Sequence, residues 1–226
     1  FPEGGLSLDG GLAPPKLGLL KYIVEERANT DRDVVFVPVA LNYDRVFEDR
    51  ILVAAGKAGE RRFRARISVV ARFVLKQFWL RITGRYHRHG YAAASFGAPV
   101  SLKAFEAQHP ASLVKDLARL LMKRIGEEVP VLPVPLVARA LLEADGPLTQ
   151  SDLEARVGQI VKGLPEAHVH LPRGDLHYAV EVGLRNLRKR DLVTEQEGMI
   201  AISPDERDIV EYYARSIAHL FRSRSV

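Results

Sequence analysis

The chain has 226 residues, 47% of them apolar, with 33 Lys plus Arg against 28 Asp plus Glu and a formal net charge of +5. That composition supports a buried core in one large or two small domains and excludes a disordered chain. The absence of cysteine excludes disulfide scaffolds, thiolate metal sites and cysteine nucleophiles, and fits a reducing compartment. The basic balance admits an anionic partner: nucleic acid, a lipid surface or a phosphorylated metabolite.

The sequence opens on Phe1 rather than Met, without a signal-peptide pattern, and reads as one with material missing upstream. A Gly-rich loop leads to Pro14 and Pro15, which are placed to start a helix. Leu17, Leu20, Ile23 and Val24 then follow at helical spacing to about Arg27. Val34 to Leu41 is a β-branched apolar run that reads as a strand buried on both faces, beneath covering helices. Pro38 inside it marks an edge or a bulge. A helix is expected from about Tyr43 to Ala54, with Gly56 and Gly59 at its end.

Between Lys57 and Arg88 stand ten basic residues and a single acidic one, Glu60. Val69, Val70, Phe73, Val74, Phe78, Trp79 and Leu80 are interleaved with them. The stretch has three readings: a solvated helix with a core face, a basic amphipathic surface for anionic lipid heads, and a nucleic-acid surface. Its longest apolar run, Ile67 to Ile82, is broken by Arg72, Lys76 and Arg81, so no transmembrane helix is read there.

A second strand, Tyr91 to Phe96, ends at Gly97-Ala98-Pro99, and helices follow near Ser112–Glu127 and Pro135–Ala144. The Pro-rich Glu128–Pro135 stretch reads as a boundary between residues 1–128 and a mainly helical 129–226. In the second part, Ser151-Asp152-Leu153-Glu154 reads as a capping box and Asp175 to Arg190 as a helix. Leu192 to Ser203 reads as a hairpin turning at Glu197-Gly198, and Ser203-Pro204-Asp205-Glu206 as the cap of a last helix to about Phe221. This order is that of a winged helix, with Arg185, Arg188, Lys189 and Arg190 on or near the helix that would meet DNA. Glu181, Glu195 and Glu197 weigh against DNA, and a helical cap on the first domain is preferred.

Three blocks in order carry a family resemblance. Phe1-Pro2-Glu3-Gly4-Gly5-Leu6-Ser7 followed by Pro14-Pro15-Lys16-Leu17-Gly18 resembles the third motif of the glycerolipid acyltransferases. Val37-Pro38-Val39-Ala40-Leu41-Asn42-Tyr43-Asp44 resembles their fourth, and Asn42 to Asp49 looks like the glycerol-3-phosphate acyltransferase branch. Ser95 to Leu102 is similar to the strand and turn that follow. The resemblance implies an α/β fold: the later half of an acyltransferase domain, then the mainly helical, winged-helix-like C-terminal domain. It also implies transfer of a fatty acyl group from acyl-CoA or acyl carrier protein to glycerol 3-phosphate in phospholipid biosynthesis, peripherally on the cytoplasmic side of a membrane. The alternative acceptor, 1-acylglycerol 3-phosphate, is disfavoured by Asn42-Tyr43-Asp44 and the long C-terminal part.

A hydroxyl is a weak nucleophile, so such chemistry uses a His base oriented by an Asp. In this family they form a His-x-x-x-x-Asp motif ahead of the Phe-Pro-Glu-Gly block, so the expectation is a chain without its own catalytic base and inactive alone. Glu3, Gly4, Gly5, Ser7 and Lys16 are the candidate acceptor-binding residues, since glycines let backbone amides approach an anion. Pro38 and Tyr43 are their structural neighbours. Leu6 stands where the family usually has Arg, so one phosphate contact is missing. No cofactor and no metal is expected. His170 and Asp175 match the His-x-x-x-x-Asp spacing but come too late in the chain, and Asp175 reads better as a helix cap. His168, His170, His177 and Asp175 offer metal-ligand chemistry without a fixed fourth ligand. His87 and His89 sit in an Arg-rich turn, while His109 and His219 read as surface residues without partners.

Overall fold

The computed structural model describes residues 2–27, 31–59, 75, 78–79, 82, 90–109, 112–165 and 169–222. Most of the basic Lys57–Arg88 stretch, with His87, His89 and His168, lies outside the described residues. The architecture is a mixed one of helices and small antiparallel strand pairs.

Helix α1 (Gly18–Arg27) turns Leu20 and Val24 onto a small cluster centred on Leu102, Phe105 and Leu117. It starts three residues after Pro15, which stays in the loop. Strands β1 (Val35–Phe36) and β2 (Val39–Tyr43) pair antiparallel with β4 (Val100–Ser101) and β3 (Ala92–Phe96). Phe36 faces Val100 while Val39 faces Phe96, so Gly97-Ala98-Pro99 opposes Val37-Pro38 and the extra residue stands on the strand across from Pro38. The ladder is thus interrupted at Pro38, where an edge or a bulge was expected, but the inserted residue belongs to the opposite strand, and the Pro38 carbonyl accepts the Gly97 N–H at 2.8 Å there.

The strand is not buried on both faces. Ala40 and Asn42 are buried, whereas Val35, Val37, Val39, Leu41 and Tyr43 are exposed. Among the described residues only one face of the ribbon is covered, which a run of β-branched residues does not reveal. The next helix, α2 (Asp49–Ala58), begins later than its sequence pattern suggested because Tyr43 is still strand, and Gly59 at φ 69° closes it.

Helices α3 (Leu102–Gln108) and α4 (Leu113–Glu127) lead to α5 (Pro133–Leu142), whose residues are nearly all buried. Around α5 pack α6 (Gln150–Lys162), α7 (Leu176–Arg188), the hairpin β5 (Val193–Gln196) and β6 (Met199–Ile202), and α8 (Arg207–Arg215), forming the main core. Short α9 (His219–Arg222) follows. The hairpin turns at Glu197 and Gly198 with φ 52° and 76°, the primed turn its sequence favours.

Two caps differ from expectation. Thr149, not Ser151, caps α6: its Oγ1 accepts the Asp152 N–H at 3.1 Å and donates to Asp152 Oδ2 at 2.7 Å, placing the box two residues earlier. Ser203 makes no cap bond; it donates to the Asp191 carbonyl at 2.7 Å, and a 3-10 turn at Pro204–Glu206 precedes α8. Asp175 does cap α7, through the Tyr178 N–H.

Candidate functional site

The opening loop earns its shape from short internal bonds. Glu3 Oε1 accepts the Ala13 N–H at 2.7 Å, the Lys16 N–H reaches the Pro2 carbonyl at 2.8 Å, and Ser7 Oγ donates to the Gly11 carbonyl at 2.7 Å. The loop docks on α8 where Gly10, at φ 84°, passes so close that a Cβ would lie 1.8 Å from the Tyr212 carbonyl oxygen. Only glycine fits there. Asp9 adds an ion pair to Arg215 at 2.8 Å.

Between this loop, β2, the Arg45–Glu48 turn, α4 and α8 lies a cavity of about 470 Å³. Of the candidate residues, Glu3, Gly5 and Ser7 line it, and so does Tyr43. Gly4, Lys16 and Pro38 are not among its lining residues. Gly4, at φ 71°, is instead covered by the Lys16 side chain, whose Nζ would stand 3.1 Å from a Cβ there. Most of the wall is apolar, from Leu6, Leu12, Leu52, Met122, Ile125 and Val129.

Arg45 is the one Lys, Arg or His side chain among the described residues lining the cavity. Its guanidinium lies 5.2 Å from the centroid of the Phe47 ring. Burial and the nearby Arg190 cation both lower its proton affinity below the usual guanidinium range. In the sequence Lys16 was the candidate to replace the cation absent at Leu6, and Arg45 stood out only as part of the Asn42–Asp49 motif.

The Asn42–Asp49 segment, read as a branch-specific motif, proves to be a polar seam. Asn42 Nδ2 donates to the Pro130 carbonyl at 2.8 Å and to Ser216 Oγ at 3.3 Å. Asp44, 2% exposed, accepts the Val134 N–H on one oxygen at 2.8 Å and the Tyr91 N–H on the other at 2.9 Å. Burial pushes its carboxyl up to about 6 although both hydrogen bonds pull downward. Asp49 accepts from Tyr213 Oη at 2.5 Å and pairs with Arg190 at 2.6 Å. Burial raises the Tyr212 phenol to about 12 and lifts Tyr213 further, so both remain neutral hydroxyls. These partners lie up to 174 residues apart in the chain, and no local pattern announces them.

The remaining candidates disperse. His177 Nδ1 meets Glu154 at 2.9 Å, and that carboxylate raises its pKa; His170 contributes only its backbone N–H, to Val131. Among the described residues no group of three His, Cys, Asp or Glu gathers to hold a metal. His109 and His219, expected without partners, have them: His109 stacks on Phe105 at 4.2 Å, and His219 Nε2 lies 2.9 Å from the Gly126 carbonyl. Of the four basic residues at and just past the end of α7, three are in ion pairs, Arg188 with Glu195 at 2.5 Å, Arg185 with Glu181 at 3.7 Å and Arg190 with Asp49 at 2.6 Å.

Residues 79–226 match the family model described as the glycerol-3-phosphate acyltransferase C-terminal region. The chain is similar to the glycerol-3-phosphate acyltransferase of Aeromonas hydrophila subsp. hydrophila, 27% identical over 252 residues that take in all of this chain and 30% of that protein. Those of Pseudomonas fluorescens and Pseudomonas putida are 27% and 26% identical over 249 residues, covering 98% of the chain and 28% of each relative. The chain thus spans less than a third of the length of these relatives.

Proposed function

Since the family match takes in most of the chain, the protein belongs to the glycerol-3-phosphate acyltransferase C-terminal region family, and from that premise we propose that it forms the acceptor side of an O-acyltransferase acting on glycerol 3-phosphate. The observation that carries the reading is the alignment of the whole chain, from the Phe-Pro-Glu-Gly block onward, with proteins bearing that name. In the reaction a glycerol hydroxyl attacks the thioester carbonyl of acyl-CoA or acyl carrier protein. The C–S bond breaks, the hydroxyl proton passes by way of a general base to the departing thiolate, and lysophosphatidate and a free thiol result. In the family that base belongs to a His-x-x-x-x-Asp motif that comes before the Phe-Pro-Glu-Gly block.

In this reading the loop bearing Glu3, Gly4, Gly5, Ser7 and Lys16 holds the acceptor over the cavity, with Glu3 and Ser7 bracing the loop as much as touching ligand. Holding the acceptor converts an encounter into a local step. We read residues 1–128 as the acyltransferase part. Residues 129–226 are a winged-helix-like domain: α5, a bridge from Leu148 to Ile200, α6, α7 and the β5–β6 hairpin follow in that order. Its paired arginines favour an internal structural role over DNA.

A lipid surface is the second partner, with the protein peripheral on the cytoplasmic face. Leu75, Phe78, Trp79 and Ile82 fall at i, i+3, i+4 and i+7 in helical backbone and are 65–69% exposed, within a stretch rich in Arg and Lys. An apolar stripe inside a basic segment suits an anionic bilayer. No helix among the described residues is long and apolar enough to cross a membrane.

The test is to express the chain in its complete reading frame and supply labelled glycerol 3-phosphate with an acyl thioester. Label entering lysophosphatidate is expected; thioester turnover without labelled lipid would overturn the reading.

A further inference from the structure

Tyr213 Oη sits at the centre of three polar groups. It accepts the Val46 N–H at 3.0 Å and Arg190 NH1 at 2.8 Å, and donates to Asp49 Oδ2 at 2.5 Å. Arg190 reaches the same carboxylate oxygen with its second nitrogen at 2.6 Å, and Asp49 Oδ1 accepts the Arg50 N–H at 2.7 Å. Asp49 and Tyr213 are each 2% exposed and the Arg190 side chain 14%. Burying a carboxylate, a guanidinium and a phenol is costly unless every group is satisfied, and here the cluster is closed on itself.

What the cluster grips is one wall of the cavity. Arg45, Val46, Phe47 and Glu48 all line it, and the grip falls on Val46 and on Asp49, at either end of the Phe47-Glu48 pair. Asp44, fixed by Val134 and Tyr91, anchors the segment on its other side. The side chains that do the gripping come from the turn just after α7 and from α8. A purely hydrophobic contact would hold α8 against α2 equally well but would leave the Val46 amide and the turn's orientation unspecified.

We propose that Tyr213 and Arg190 are positioning residues of the C-terminal region: through Asp49 and the Val46 amide they fix the Arg45–Glu48 turn and so set where Arg45, the cavity's cation, meets the phosphate of the acceptor. This rests on the reading of the cavity as an acceptor site. It gives the C-terminal region, whose Tyr213 also lines the cavity, a task in placing the acceptor. It also supplies a phosphate-binding cation in place of the arginine that Leu6 replaces.

The test uses the chain in its complete reading frame, with Tyr213→Phe, which keeps the ring and removes the hydroxyl, and Arg190→Lys, which keeps the charge pair and loses the second nitrogen. Arg188→Ala, which breaks only the pair with Glu195, is the control. Two quantities are read: amide hydrogen exchange at Val46, and KM for glycerol 3-phosphate beside KM for the acyl donor. Tyr213→Phe is expected to speed exchange at Val46 and raise the acceptor KM about three- to tenfold, the scale of one lost hydrogen bond. The donor KM should stay within twofold. Faster exchange with an unchanged acceptor KM, or equal rises in both KM values, overturns the proposal; should Tyr213→Phe not fold, Arg190→Lys decides on the same readings. A wild-type protein that does not acylate glycerol 3-phosphate overturns the acceptor-site reading itself, a result distinct from either.

Discussion

Replacing Asp44 by Asn removes a buried charge while keeping the side chain's shape. In the wild type both carboxylate oxygens accept backbone N–H groups, one buried and one part-buried, yet burial outweighs them and raises the carboxyl from 3.8 to about 6. A carboxyl with a folded pKa above its unfolded value favours the folded state when protonated. Its contribution is therefore fully present below pH 3.8 and lost as pH rises through 6. A shift of about two units at 1.36 kcal/mol each amounts to roughly 3 kcal/mol. The Asp44→Asn variant has no such titration, although its amide faces one N–H it cannot accept, a fixed cost of about 1–3 kcal/mol. Urea unfolding at several pH values between 4 and 7.5 measures the difference. The wild type should lose about 2 kcal/mol relative to the variant across that window, the rest having gone below pH 4. A difference that stays flat, or that moves in the wild type's favour with rising pH, would mean that the two N–H donors dominate burial and would refute the reasoning.

Gly10→Ala places a methyl group against the Tyr212 carbonyl at a positive φ; the loop should undock from α8, with a cost of about 3 kcal/mol and faster amide exchange over residues 2–16. Thr149→Ala removes the cap of α6 and should cost about 1 kcal/mol in chemical unfolding, whereas Ser151→Ala should be nearly silent. Changing Phe78 and Trp79 together to Ser should release the protein from vesicles containing anionic lipid, as should Arg62, Arg66 and Arg72 to Glu. Co-sedimentation unchanged by both sets would rule out the stripe as the lipid contact.

Local chemistry was legible where a few neighbouring residues decide the outcome. Pro38 announced an interruption of the ladder because it lacks an N–H, Glu197-Gly198 announced a primed turn, and Asp175 announced the start of α7. The Phe-Pro-Glu-Gly block and the Asn42-Tyr43-Asp44 segment carried the family, and the matches to relatives bear that out. Burial on one face of β2 was not legible, because Val35, Val37 and Val39 have the same β preference whether covered or not. The capping box slipped by two residues because Thr149-Asp152 and Ser151-Glu154 satisfy the same spacing rule, and packing chose between them. Arg45 and the Asp49–Tyr213–Arg190 cluster were invisible for a different reason: their meaning lies in contacts across 164 residues, where periodicity says nothing.

In the proposed function the opening loop and the cavity beneath it hold the acceptor. The most direct measurement is the KM for glycerol 3-phosphate of Glu3→Ala in the complete reading frame, with KM for the acyl thioester recorded alongside. Freed from the Ala13 N–H, the loop should loosen and the acceptor KM rise about tenfold or more, leaving the donor value in place. A donor KM that rises while that for glycerol 3-phosphate holds steady would contradict the account and assign the loop to the other substrate.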